Sequence, residues 1–139
     1  MTLDKLFLAF HVFGAFMWIG GLFAVAAFID ATVDEPDAAA KARLVKATRT
    51  AAIVPDVGAT IAIVFGAHWL MRFKLYETHY MQAKLALVVV ILAVHGYLRS
   101  RVGKLKRNET VVAPPMVLKP LISATALGII VFVISKWPT

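Results

Sequence analysis

Hydrophobic positions in this chain come in blocks. Residues 6–29 carry no charge, residues 50–71 carry only Asp56, residues 80–98 carry only Lys84, and residues 121–135 carry none. A helix needs roughly 20 apolar residues to cross a hydrocarbon core. The first three blocks meet that length. The fourth reaches it when residues 116–118 and the apolar stems of Lys119 and Lys136 extend it toward the interfaces. The pattern predicts helices over about 5–30, 37–72, 80–101 and 116–136. It therefore predicts an all-α integral membrane protein, a four-transmembrane-helix bundle that uses residues 1–139 as a single membrane domain.

The segments between the blocks add detail. Helix 1 is expected to end near Asp30. Pro36 is expected at the start of the next helix, with Asp37 complementing the helix dipole there. The stretch AAAKARLVKATR at 38–49 reads as an amphipathic extension of helix 2, and KLKRNETVVAPP at 104–115 reads as a loop with two prolines. The first block is too long for a cleavable signal peptide, and Asp4 and Lys5 make a weak n-region before it.

Composition agrees with this pattern. The chain is 60% hydrophobic with a mean hydropathy of +0.79, whereas a soluble domain is closer to half apolar. It contains no cysteine, which excludes disulfides, thiol chemistry and thiolate metal sites. The net charge of +7 does not imply a nucleic-acid partner, because the basic residues flank membrane helices, where anionic lipid attracts them. Of the 15 Lys and Arg, ten fall in the connections between helices 1 and 2 and between helices 3 and 4. Four fall on the opposite face, and Lys84 lies inside helix 3. The ten-charge face is expected to be cytoplasmic. Both termini are then on the periplasmic or outer face, and the expected location is a bacterial cytoplasmic (inner) membrane, crossed several times.

Polar groups inside the blocks are the candidate chemistry, since lipid penalises them. Lys84 and His95 are eleven residues apart, so they share one face of helix 3 about 16 Å apart. A snorkelling lysine and an interfacial histidine bonded to a carbonyl are the plain readings of the two. A shared inward face is the functional one. In helix 1, His11 and Trp18 are seven apart and share a face, with Gly14 and Gly21 beside it, and a hydrogen-bonded core histidine is the plain reading of His11. Small residues there admit a close helix or a flat ligand. Helix 2 carries Pro55, Asp56, a Gly58–Ala62–Gly66 stripe at spacing four, His68, and Trp69 at the interface. His11, His68 and Lys84 are expected at one depth, and Asp56 and His95 at another, either in direct or water-bridged contact or with Asp56 capping or solvated locally through the Pro55 kink. Imidazoles beside glycines in an apolar bundle suit a haem. A proton-carrying site fits as well. No His/Asp/Glu spacing of the zinc type is present.

These residues also carry a resemblance. KLALVVVILAVHGY, with Lys84 and His95, resembles the third helix of HemJ-type protoporphyrinogen oxidases. HVFGAFMWIGGLF resembles that family's first-helix pattern, and VFGAHWL resembles the end of its second helix, with one residue inserted before Trp69. Pro120 and SKWP fit the limits of its last helix. The related CopD-like group shares broad features, but the Met and His clusters expected for copper are absent here. Two segments differ from the HemJ pattern. Val25-Ala26-Ala27 stands where the family has Leu-Pro-Arg, and Val117-Leu118-Lys119-Pro120 stands where it has Asn-Glu-Val-Pro.

The resemblance implies haem b as cofactor and oxidation of protoporphyrinogen IX to protoporphyrin IX, with a quinone-type electron acceptor. It implies His11 and Lys84 as the functional pair, with His11 as the iron ligand. Trp18, Gly14, His68 and His95 are the further cofactor-binding candidates. Membrane lipid is an expected partner, and a homo-oligomer or a membrane complex the expected assembly. The reading from another class is a non-enzymatic haem-binding or structural subunit of a respiratory or photosynthetic complex.

Overall fold

The structure, a computed structural model, describes residues 2–134, and the side chains of 2–131. Among the described residues there are five α-helices and no strand. They are α1 (Leu3–Asp34), α2 (Ala38–Ala51), α3 (Ile53–Arg72), α4 (His79–Lys106) and α5 (Leu118–Ile134), with a single 3-10 turn at Leu75–Glu77 between α3 and α4. Three rods are long and apolar enough to cross a membrane: Leu3–Asp34, the α2–α3 rod Ala38–Arg72, and His79–Lys106. α5 is apolar but shorter. Its expected end at Lys136, and the SKWP motif there, lie outside the described residues.

Several expected boundaries are corrected. α1 continues past Asp30 to Asp34, because its inward face does not stop at the first charge. Ile29 and Thr32 are fully buried. Thr32 Oγ1 donates to the carbonyl of Phe28 at 2.6 Å and meets Thr48 Oγ1 of α2 at 3.5 Å. The helix stops at Glu35, extended at ψ 116, as a residue before proline prefers. Asp37 is the N-cap of α2 and accepts from Ala40 N at 2.7 Å, so Pro36 precedes the cap instead of opening the helix. α4 runs to Lys106 instead of 101, because Leu98, Val102 and Leu105 continue its buried face.

The expected second helix is present but broken at Ala52. Pro55 has no N–H to give the carbonyl four residues back, so the ladder is interrupted there. The two halves still form one rod along α1.

α1 and α3 pack backbone to backbone. A Cβ on Gly14 would stand 2.6 Å from Ala62 N, and one on Gly21 would stand 2.6 Å from Pro55 Cδ. A Cβ on Gly58 would overlap the backbone nitrogen of Trp18. Small residues at these crossings allow close approach where lipid gives no hydrophobic drive. Ion pairs tie the helix ends. Arg72 meets Asp4 at 3.4 Å, and Lys119 meets Asp30 at 2.6 Å.

The buried apolar core occupies one half of the bundle. It comprises Trp18, Leu22, Val25, Ala26 and Ile29 of α1 and Ala52, Ala59 and Ala62 of the α2–α3 rod. Ile91, Val94, Leu98, Val102 and Leu105 of α4 add to it, and Val111, Leu118 and Ile122 close it. That half ends in most of the Lys and Arg and is called the basic end below. In the opposite half, no residue of 3–13, 63–72 or 79–90 is buried. Among the described residues the helices there are less closely packed.

Candidate functional site

Two polar constellations occupy the bundle, one in each half. The first is a hydrogen-bonded chain across three helices. Trp18 Nε1–H of α1 donates to His95 Nδ1 of α4 at 2.9 Å. His95 Nε2 faces Asp56 Oδ1 of α3 at 2.8 Å, and Arg99 Nη2 reaches Asp56 Oδ2 at 3.1 Å. The partners assign the tautomer. Nδ1 receives an N–H and is the acceptor, so the proton is on Nε2 and is donated to the carboxylate. Every polar atom of this imidazole is satisfied.

The expected meeting of Asp56 and His95 is therefore present as a direct bond. Trp18 and Arg99 were not anticipated as its continuations. Arg99 had a signal: it lies four residues after His95, on the same face of α4.

The second constellation is in the loosely packed half. His11 lies on the face of α1 toward α3, and its Nδ1 is 2.7 Å from the carbonyl of Ala62. A carbonyl only accepts, so Nδ1 carries the proton and Nε2 of the neutral ring keeps its lone pair. No partner for Nε2 exists among the described residues. The ring lies on Gly66, where a Cβ would be 2.8 Å from His11 Cε1 and Nδ1. Part of the small-residue stripe of α3 thus seats this histidine instead of a helix.

Lys84 of α4 is half-buried, near enough to His11 to act on it electrostatically. It has no hydrogen bond or ion pair among the described residues. His68 packs edge-on against Phe7, with centroids 4.7 Å apart. Trp69 lies against Phe73, and its buried Nε1 has no partner among the described residues.

The geometry shows what surrounds three of the cofactor-binding candidates. Both ring nitrogens of His95 are engaged, one by Trp18 and one by Asp56. Gly14 is covered by α3 at Ala62, which leaves no space for a flat ligand. Trp18 is 5% exposed, and its indole N–H is committed to His95. His11 and His68 remain as imidazoles with a free nitrogen. Among the described residues no group of three or more His, Cys, Asp or Glu is placed to hold a metal ion. Comparison of the chain with protein-family models, curated proteins and solved structures finds no match.

Proposed function

We propose that the chain is a four-span protein of a bacterial inner membrane that binds haem b at His11 and oxidises protoporphyrinogen IX to protoporphyrin IX. In this reading the basic end is cytoplasmic, by the excess of Lys and Arg there, and both termini are on the periplasmic face. The observation that carries the haem assignment is the state of His11. Its Nδ1–H is fixed on a backbone carbonyl, and its Nε2 is unpartnered in the half of the bundle that lacks a buried core.

The residues fit an axial ligand. A carbonyl on Nδ1–H orients an imidazole and strengthens the donor character of its other nitrogen. Gly66 leaves room for the Cε1–Nδ1 edge of the ring against α3. Lys84, cationic and without an anionic partner among the described residues, suits a carboxylate-bearing tetrapyrrole or proton movement during its oxidation. Bound haem would supply one-electron redox chemistry between the substrate and a membrane acceptor such as quinone. Removing six electrons from the porphyrinogen also releases six protons, so a group able to give and take protons beside it has a role.

One observation favours the non-enzymatic reading. The family's Leu-Pro-Arg is replaced by Val25-Ala26-Ala27, of which Val25 and Ala26 are core residues at 2% and 0% exposure. The arginine is lost, and this part of α1 is given to packing. That leaves a haem-binding subunit without oxidase activity.

The full-length protein, purified in detergent, tests these readings together. Reduced-minus-oxidised bands of b type that vanish or shift in His11→Ala support the haem site. Rescue of a strain lacking protoporphyrinogen oxidase supports the enzyme. Bands without rescue select the subunit, and a featureless spectrum with no rescue overturns both. A reporter at the carboxyl terminus should be active only as a periplasmic marker, and cytoplasmic activity would overturn the orientation.

A further inference from the structure

A shallow, open groove lies between α1 and α2 at the basic end, with a volume of about 500 Å³. It is lined by Phe28, Arg43, Lys46, Ala47, Thr50 and Ala51. Its chemistry changes in one direction along a single face of the α2–α3 rod. Positions 43, 47, 50, 54, 57 and 61 recur at spacings of four and three, so they form one stripe. The stripe begins with Arg43, passes Ala47 and the Thr50 hydroxyl, and continues into Val54 and Val57, each 42% exposed. Lys46 flanks it, and Phe28 of α1 forms its other wall.

Some cations at this end are paired; Lys41, Arg49, Lys104 and Lys106, like the two in the groove, have no ion pair among the described residues. Arg99 is paired with Asp56, Lys119 with Asp30 and Arg107 with Glu109, while Arg101 lies over the Tyr97 ring at 4.9 Å. Among the described residues neither Arg43 nor Lys46 has a carboxylate partner. Two unpaired cations at the foot of an apolar stripe complement an anion joined to a hydrocarbon chain.

We infer that this groove binds one anionic phospholipid of the leaflet at the basic end. The phosphate lies between Arg43 and Lys46, and an acyl chain runs up the stripe past Ala47, Val54 and Val57. Surface cations beside a bilayer attract anionic headgroups generally. The groove adds a fixed place for the chain, which turns diffuse attraction into a site. The inference rests on the membrane reading and not on haem, so loss of haem binding leaves it standing.

The test uses the full-length protein, stripped of lipid in detergent and titrated with phosphatidylglycerol while bound lipids are counted by native mass spectrometry. One phosphatidylglycerol should bind well ahead of phosphatidylcholine. R43Q/K46Q should weaken it about 30-fold, roughly fivefold for each surface cation. K104Q/K106Q, which removes equal charge from α4, should change it little. Ala47→Leu, which fills the groove and keeps both cations, should also weaken it. Glycerol phosphate, the headgroup without chains, should not displace the lipid. Equal weakening by the two charge pairs, equal binding of phosphatidylcholine, or displacement by glycerol phosphate would each overturn the site.

Discussion

Replacing His95 by Leu keeps a side chain of similar size but removes both ring nitrogens, which breaks the Trp18–His95–Asp56 chain in the middle. The two sides of the break differ. Asp56 keeps Arg99 at 3.1 Å and is 33% exposed at its side chain, so it retains a partner and solvent. Its lost bond is worth less than about 1 kcal/mol. Trp18 is 5% exposed, and its indole N–H would have no substitute acceptor. An orphaned buried donor costs about 1–3 kcal/mol in soluble proteins. Interhelical bonds in membrane proteins couple by about 0.6 kcal/mol on average and about 1.7 at most. The buried position of Trp18 puts this bond at the upper end, so His95→Leu should cost about 2 kcal/mol in all. The discriminating quantity is the coupling to Trp18→Phe, which removes the donor. Once the donor is gone, losing the acceptor should hurt less, and the double variant should be more stable than the sum by about 1–1.7 kcal/mol. Unfolding in mixed micelles, followed by circular dichroism so that Trp18 is not its own reporter, measures all four corners. Additivity within about 0.5 kcal/mol would refute the claim that this bond holds α1 to α4.

The glycines give an internally controlled pair. Gly58→Ala puts a methyl into the backbone of α1 and should cost about 1–3 kcal/mol, as overpacking does; Gly20→Ala meets nothing within 4 Å and should be neutral or stabilising by up to about 1 kcal/mol in the same assay. Gly66→Ala should leave the helical content unchanged but push the His11 ring aside, so the haem bands should weaken or shift; a parental spectrum would place the ligand elsewhere, at His68. For Lys84, Gln should abolish rescue of the oxidase-deficient strain with the protein still inserted. Arg should restore little, because it keeps the charge but cannot give up its proton near neutral pH. Full activity of the Arg variant would assign Lys84 to carboxylate anchoring, and full activity of the Gln variant would reduce it to a snorkelling residue.

What the sequence made legible follows from which physical quantities a single helix fixes. Hydropathy fixes where the apolar helices lie and which residues share a face, and for three of the four expected spans the structure has a helix long and apolar enough to cross a membrane. Counting residues from each helix end fixes depth, which is how Asp56 and His95 could be matched before either was located in space. Rotation of one helix against another is not encoded in either helix alone. His95 therefore looked equally suited to Asp56 and to a haem, until Trp18 proved to take its other nitrogen. Gly14 and Gly66 make the same point, because both are small positions beside a histidine. Gly14 receives the α3 backbone and Gly66 receives the His11 ring, and only the relative phase of α1 and α3 decides which. Helix ends were misread for a related reason. A first charge such as Asp30 marks where lipid ends, whereas Thr32 and Leu105 show that packing among the helices continues beyond it. The helices thus combine apolar stretches long enough to cross a membrane with a closely packed set of side chains at the basic end. A reading that tracks only lipid stops too early at that end. The same division explains why His11 stands out. In the half where the helices do not fill one another's gaps, the second nitrogen of the fixed His11 imidazole, the Lys84 amine and the Trp69 indole N–H are polar groups that packing leaves without a partner among the described residues.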